Sequence, residues 1–166
     1  MDAMRLDGFG RLYNSLLETG IRAVVVLEHL RPVGADLPEM ILFDHVVVHT
    51  GDHGGPESLH PPVPERQGEL LIRRRLIQQS LQLMQQCHLV GETHDADGIS
   101  YHATDEAAAY VELLETPYSE HLKRCSAWIR DEVDRHSKDG FKDRLRERIG
   151  HWAEAFGAVE GPAQRA

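Results

Sequence analysis

Residues Glu69–Ala103, ELLIRRRLIQQSLQLMQQCHLVGETHDADGISYHA, contain the change of pattern that decides the fold. In the first half, apolar residues recur every three or four positions, which predicts a helix from about Glu69 to Cys87. The residues of its predicted buried face are Ile77, Leu81, Met84 and Cys87, with Leu76 and Leu83 beside them. The second half lacks this period, so a different element follows the helix.

That second half predicts a β-hairpin. Two short alternating segments, His88–Val90 and Ile99–Tyr101, flank the polar stretch GETHDADG. The dipeptide Asp97-Gly98 suits a tight turn, because glycine readily adopts the positive φ that such turns require.

Two helices are predicted before this stretch. The first extends from about Leu12 to Leu30 and ends at Arg31-Pro32. The residues of its predicted buried face are Leu16, Leu17, Ile21, Val24 and Val25.

The second helix is predicted from a capping pattern. Asp36 and Glu39 have the spacing of a capping box, with Pro38 in the first turn, and the helix extends to about His49. The valine run Val46–Val48 also suits a strand, so both interpretations are open for this segment.

More helices are predicted after the hairpin. Thr104 is suited to capping a fourth helix, and Pro117 is expected to stop it. Two amphipathic helices follow, Ser119 to about Arg135 and Phe141 to about Phe156, separated at Asp139-Gly140.

Three helices followed by a short hairpin is the element order of a winged-helix domain. We therefore predict a mainly α fold, with a winged-helix domain and β-hairpin wing over residues 1–103 and a long loop at 51–67. Residues 104–156 are predicted to form a helical extension used for packing or dimerisation, so a homo-oligomer is among the expected assemblies. Residues 157–166 are predicted to be a frayed tail.

Composition bounds the functions that this chain can have. Its 166 residues are 41% hydrophobic and 27% charged, which is typical of a soluble globular protein. A net charge of −9 argues against a global electrostatic grip on DNA or on an anionic membrane. Cys87 and Cys125 are interpreted as buried thiols in a reducing compartment. With no signal peptide and no apolar run long enough to span a bilayer, a cytoplasmic location is expected.

Two blocks resemble a known family. They are HTGDHGGPESLHPPVPERQGELLIRRRLIQQSLQLM (His49–Met84) and DGISYHATDEAAAYVELLETPY (Asp97–Tyr118). The chain resembles, over roughly residues 13–130, the middle component of bacterial ABC three-component systems, which overlap with Lamassu-type defence systems. The resemblance implies a winged-helix adaptor that accompanies an SMC-like ABC ATPase and an effector, often a nuclease. It implies no catalytic residues, and no cofactor is expected.

A cluster of histidines suggests a metal site as an alternative. His45 and His49 would lie one turn apart on a helix, and Asp52, His53 and His60 follow closely. However, the chain has no HExxH motif, and imidazoles near a helix end readily bond free carbonyls. We therefore expect no metal at these residues.

The third predicted helix offers a second alternative, DNA binding. It carries Arg73, Arg74 and Arg75 followed by several glutamines, which are side chains that read base edges. Between Leu76 and Leu122, however, there is no lysine or arginine and there are eight acidic residues. We expect only weak DNA binding through the three arginines.

The glycine- and proline-rich loop is the predicted partner-binding segment. Its prolines favour an extended polyproline-II conformation that loses little freedom on docking. The predicted partner-binding residues are Asp52, His53, Leu59, His60, Val63, Arg66 and Glu69.

The leading hypothesis is a non-enzymatic adaptor between an SMC-like ATPase and an effector. A winged-helix transcriptional regulator and a small metal-dependent hydrolase that uses His45, His49 and His53 are the alternatives. The chain has no GxxxxGK[ST] motif, so an ATPase must come from a partner.

Overall fold

The computed structural model describes residues 15–61 and 69–148. Its elements in chain order are α1 (Leu16–Leu30), α2 (Leu37–Val48), a short 3-10 helix (Thr50–His53), α3 (Glu69–Gln86), β1 (Val90–Asp95), β2 (Gly98–Ala103), α4 (Asp105–Glu112) and α5 (Pro117–Arg148). The described part is mainly helical, with a two-stranded antiparallel sheet. The predicted helix-rich class is therefore confirmed.

Helix α1 is the central element. It contacts α2, α3, α4, α5 and β2, and every side chain from Ala23 to Leu27 is buried. It begins after Ser15, whose Oγ accepts a hydrogen bond from the backbone N–H of Glu18 at 3.2 Å. Residues 12–14 of the predicted helix lie outside the described residues. The prediction that Leu16 and Leu17 are buried is wrong, since they are 40% and 55% exposed and burial begins only at Thr19, in the second turn.

The capping box of α2 is confirmed. The backbone N–H of Glu39 donates to Asp36 Oδ1 at 2.8 Å, and the N–H of Asp36 donates to Glu39 Oε2 at 2.9 Å. The valine run Val46–Val48 is helical and fully buried, so the strand interpretation of this segment is wrong. A helix that is apolar on most sides needs packing partners around it, and α1, α3 and α5 supply them.

The predicted hairpin is present but longer than predicted. Its register extends from Val90 opposite Ala103 to Asp95 opposite Gly98, so only two residues connect the strands. The polar stretch predicted as a turn is mostly strand, because backbone pairing does not depend on apolar alternation when both faces are largely exposed. Gly98 has a φ of 120°, as the turn prediction required.

The predicted ends of the fourth helix are confirmed only in part: α4 begins directly after Thr104, as predicted, but the predicted roles of Thr104 and Pro117 are wrong. The Thr104 side chain does not cap α4, because its hydroxyl donates to the carbonyl of His88 at 2.7 Å instead. Pro117 does not stop α4, which has already ended at Glu112; it opens α5, where a missing N–H costs little. Helix α5 is capped by Thr116, whose Oγ1 accepts from the N–H of Ser119 at 3.1 Å.

Helix α5 contains the predicted break, displaced slightly. Ser137 has a non-helical conformation with φ 64° and ψ 164°, and its Oγ accepts from the N–H of Gly140 at 3.1 Å. The break therefore lies at Ser137 rather than at Asp139-Gly140. The next turn is fixed to α2, since Lys138 and Lys142 contact the carboxylate of Glu39 at 3.0 and 2.7 Å.

Buried side chains from both halves of the chain form one apolar cluster. Phe43 of α2 stacks on Phe141 of α5 with ring centroids 6.4 Å apart, and Ile129 of α5 belongs to the same cluster. The division between residues 103 and 104 stays a prediction. Cys125 is buried as predicted, but Cys87 is exposed because it follows the last residue of α3.

Candidate interaction site

A buried ion pair joins α1 to α2. Arg22 Nε lies 2.9 Å from Asp44 Oδ1, and the two side chains are only 3% and 4% exposed. The Arg22 guanidinium also donates to Thr19 Oγ1 at 3.3 Å. Burial opposes the charge on Arg22, but the attraction of Asp44 outweighs it, so the pKa of Arg22 is raised. Two buried charges at this distance are tolerable only because each satisfies the other.

The pair extends to two further helices. Arg73 of α3 lies 3.4 Å from the other Asp44 oxygen. Tyr118 of α5 forms a hydrogen bond with Arg22 and a second one, at 3.0 Å, with His60 Nε2. We call these five residues, Arg22, Asp44, Arg73, Tyr118 and His60, the polar network. It connects α1, α2, α3 and α5 to the loop that follows the 3-10 helix.

The loop at residues 50–61 is fastened to the body of the protein. The hydroxyl of Thr50 donates to the carbonyl of Pro56 at 2.8 Å, and the N–H of His60 donates to the carbonyl of Val48 at 3.1 Å. His121 of α5 bonds the carbonyl of Glu57 at 2.7 Å. The loop therefore contacts the end of α2 and the start of α5. Its glycines and prolines predict no regular structure, which is wrong at its start, where Thr50–His53 form a 3-10 helix.

A tight contact fixes the turn of this loop. A Cβ at Gly55 would lie 2.7 Å from Cδ2 of Trp128, inside van der Waals distance. The Trp128 indole is itself held edge-on against Phe141, with ring centroids 5.9 Å apart. Only glycine fits between the loop and α5 at this position.

Burial keeps several of the loop-side histidines neutral. It lowers the pKa of His45 to about 3, with Arg73 and His49 contributing in the same direction. It lowers the pKa of His60 to about 4, assisted by the positive charge of Arg22. The pKa values of His49 and His53 are also lowered by burial.

The geometry does not give the predicted histidine cluster a complete metal-ligand set. The rings of His45 and His49 are 4.9 Å apart, as their helical spacing predicts. However, no group of three His, Cys, Asp or Glu side chains in residues 15–61 and 73–148 is arranged to hold a metal ion. The hydrolase alternative therefore lacks a third ligand in this part of the chain.

The predicted partner-binding residues have different environments. Asp52 is exposed, His53 is half-buried and Leu59 packs against the apolar core. His60 is half-buried in the polar network. Val63 and Arg66 lie outside the described residues, as does the side chain of Glu69, which opens α3.

His53 lies against the second part of α5. It lines a cavity of about 20 Å³ together with Glu132, Arg144 and Arg148, and its buried Nδ1 has no hydrogen-bond partner among the described residues. This volume holds about one water molecule, which would satisfy the imidazole. The cavity is too small for an organic ligand.

The three arginines predicted to contact DNA separate into two groups. Arg73 is 26% exposed and forms a salt bridge with Asp44. Arg74 and Arg75 are exposed. Only two of the three arginines are therefore exposed for contact with phosphates, so we expect DNA binding to be weaker than the sequence predicted.

Sequence reasoning missed the centre of the polar network. Arg22 and Asp44 each interrupt an apolar segment, IRAVVV and MILFDHVVV, and a charge within a buried segment needs a partner. Opposite charges in two such segments were the available signal for the pair. Nothing in the sequence indicated that Tyr118 would join them.

Comparison with models of known protein families shows which family this chain belongs to. The chain matches the ABC-three component (ABC-3C) system Middle Component 2 over residues 12–155. It belongs to this family. No curated protein and no solved structure matches the chain.

Family membership makes this chain the middle component of a system with several protein components, as the resemblance predicted. Within the described residues, no helix has the length and apolar character needed to cross a membrane.

Proposed function

We propose that this chain is a non-enzymatic cytoplasmic adaptor that links an SMC-like ABC ATPase to an effector, often a nuclease. The observation that carries the proposal is the family match over residues 12–155, nearly the whole chain. The chain has no GxxxxGK[ST] motif, so nucleotide hydrolysis would be supplied by another component. A defence role of the Lamassu type is the specific form of this proposal.

We further propose that residues up to 103 form a winged-helix module. One contact supports this topology beyond the element order. Ala35, between α1 and α2, pairs with Tyr101 of β2 through two backbone hydrogen bonds of 2.9 and 2.7 Å. A short third strand from this segment is the usual companion of a winged-helix hairpin.

The loop at residues 50–61 is the proposed partner-binding surface. Its inner side is held by the polar network and by His121, whereas Asp52, Gly54 and Glu57 are exposed on its outer side. A loop that is already ordered loses little conformational entropy on binding. We therefore assign the docking contact to the outer edge, with Asp52 and Glu57 as its charged residues, and not to Leu59.

Co-purification tests this assignment. The full chain, carrying an affinity tag, is expressed together with a candidate SMC-like ATPase and a candidate effector, and the retained subunits are measured. Asp52→Lys with Glu57→Lys should reduce their recovery at least about tenfold, since like charges across an interface cost several kcal/mol. The matched control is Glu112→Lys with Glu115→Lys, which makes the same charge change at exposed positions after the hairpin.

The proposal fails in two recognisable ways. If the wild-type chain retains neither component, the adaptor role is wrong. If the wild type retains both and the loop double variant retains them equally, the adaptor role stands and the loop is not the interface. Circular dichroism on both double variants shows that the comparison is between folded proteins.

A further inference from the structure

The exposed face of α3 has an unusual composition. Every exposed side chain from residue 74 to residue 86 is an arginine or a glutamine. We call this set the glutamine face, and its members are Arg74, Arg75, Gln78, Gln79, Gln82 and Gln86. Arg75, Gln79, Gln82 and Gln86 are separated by three or four positions, so they follow one line along the helix. The face has no apolar side chain and no carboxylate.

The two ends of the glutamine face have opposite electrostatic surroundings. Arg74 and Arg75 lie at its amino-terminal end. At the other end, Glu92 of β1 accepts a hydrogen bond from Gln85 at 3.0 Å, which holds a carboxylate beside the last turn of α3. The Cα atoms of Arg75 and Gln86 are roughly 16 Å apart along the helix axis.

A surface that is positive at one end and negative at the other is complementary to itself when a second copy is turned end for end. We propose that the glutamine face binds the same face of a second copy of this chain in an antiparallel, two-fold arrangement. The axis passes near Gln79 and Gln82, and Arg75 of each copy lies against Glu92 of the other. This contact goes beyond the adaptor role, because it concerns how many copies of the middle component assemble.

The chemistry of glutamine suits such an axis. Each side-chain amide has both donors and an acceptor, so two symmetry-related glutamines can satisfy each other. Uncharged amides also bring no net repulsion to the centre, although each copy has a net charge of −9. The contact is polar throughout, so its affinity depends on the two Arg–Glu pairs and decreases with salt.

Duplex DNA is the competing occupant of this face, since arginine and glutamine also contact bases. The structure favours the second copy for two reasons. Arg73 is already paired with Asp44, and Glu92 and Asp95 on the adjoining strand would repel phosphates. The same Glu92 that opposes DNA supports the dimer.

The test is a charge-reversal experiment on the full chain, followed by sedimentation equilibrium at low and at high salt. Wild type should dimerise, and more weakly at high salt. Arg75→Glu and Glu92→Arg should each weaken self-association at least about tenfold, because each places like charges opposite one another. A mixture of the two variants should form a heterodimer with near wild-type affinity, since one contact is then the original Arg75–Glu92 pair and the other is the same pair with its charges exchanged.

Matched controls isolate the contact. Arg124→Glu and Glu147→Arg make the same charge changes at exposed positions of α5 and should leave self-association unchanged. The proposal is overturned if wild type is monomeric at every concentration, or if the mixed variants fail to associate while each remains folded. It is also overturned if Arg75→Glu abolishes duplex binding in a mobility-shift assay and leaves self-association intact.

Discussion

The loop at residues 50–61 and the β1–β2 hairpin are both polar, but the protein holds them in opposite ways. The hairpin pairs its own backbone through six registered positions, and most of its side chains remain exposed. The loop has one backbone bond to the end of α2, from His60 to Val48, and otherwise relies on side-chain bonds such as those of Thr50 and His121 and on the packing of Gly55 against Trp128. Its conformation therefore depends on distant side chains, whereas that of the hairpin depends mainly on local backbone pairing.

Asp44→Ala should give the largest loss of stability, because it breaks the polar network that holds the loop at residues 50–61. It leaves Arg22 buried at 3% exposure without its carboxylate, and it removes the partner of Arg73. Loss of one member of a buried pair costs about 3–5 kcal/mol of unfolding free energy. Urea denaturation followed by circular dichroism measures this loss.

The hairpin supplies the matched control for Asp44→Ala. Asp95→Ala removes a carboxylate that accepts a hydrogen bond from the N–H of Asp97 at 2.8 Å, but at an exposed position. Solvent replaces this contact, so the loss of unfolding free energy should be far smaller than for Asp44→Ala. Equal losses for the two variants would contradict the contrast between loop and hairpin.

Gly55→Ala should give the next largest loss of unfolding free energy. Its Cβ would meet the indole of Trp128 at 2.7 Å, and the ring cannot move freely because it packs against Phe141. Overpacking of this kind costs about 1–3 kcal/mol. Combining it with Trp128→Leu, which makes room, should give less destabilisation than the sum of the two single changes.

Gly91→Ala makes the same change in the hairpin and allows a direct comparison with Gly55→Ala in the loop. Its Cβ would also make a close contact, 2.6 Å from His102 Nε2, but that atom is the end of a flexible, half-buried imidazole. The ring can rotate away, so the change in unfolding free energy should be smaller than for Gly55→Ala. A larger loss for Gly91→Ala than for Gly55→Ala would show that the loop, and not the hairpin, accommodates the added methyl group.

The same contrast explains which features could be predicted from sequence. Capping at Asp36 and Glu39 and the turn at Gly98 depend on neighbours in the chain, and both predictions are confirmed. Thr104 and Pro117 also carried local signals, but tertiary contacts and the early end of α4 decided their roles. The polar network joins residues as far apart as Arg22 and Tyr118, so pattern within a single segment could not find it.

Acidification should weaken the protein through its buried histidines. In an unfolded chain a histidine has a pKa of about 6.5, whereas in the folded protein the pKa of His45 is about 3 and that of His60 about 4. Below pH 6.5 the unfolded state therefore binds protons that the folded state does not, and stability present above that pH decreases toward pH 4.

For the largely buried His45 the loss approaches about 1.4 kcal/mol per pH unit once pH is well below 6.5. Urea midpoints measured at intervals between pH 7 and pH 5 give the slope. His45→Gln removes one titrating group, so its slope should be shallower than that of wild type. An unchanged slope would mean that His45 takes up its proton in the folded state as well.

The smallest effect is expected at Thr104. Its sign shows whether the hydroxyl caps α4 or bonds to the carbonyl of His88. If Thr104 capped α4, then Thr104→Asp would preserve or improve stability, since aspartate is a preferred N-cap. In the structure the hydroxyl instead donates to the carbonyl of His88 at 2.7 Å and joins the start of α4 to the segment between α3 and β1. Aspartate would place a carboxylate against that carbonyl, so Thr104→Asp should destabilise, and Thr104→Ser, which keeps the donor, should not. The loss is expected to be about 0.5–1.5 kcal/mol, the net value of one hydrogen bond, and urea denaturation of both variants measures its sign.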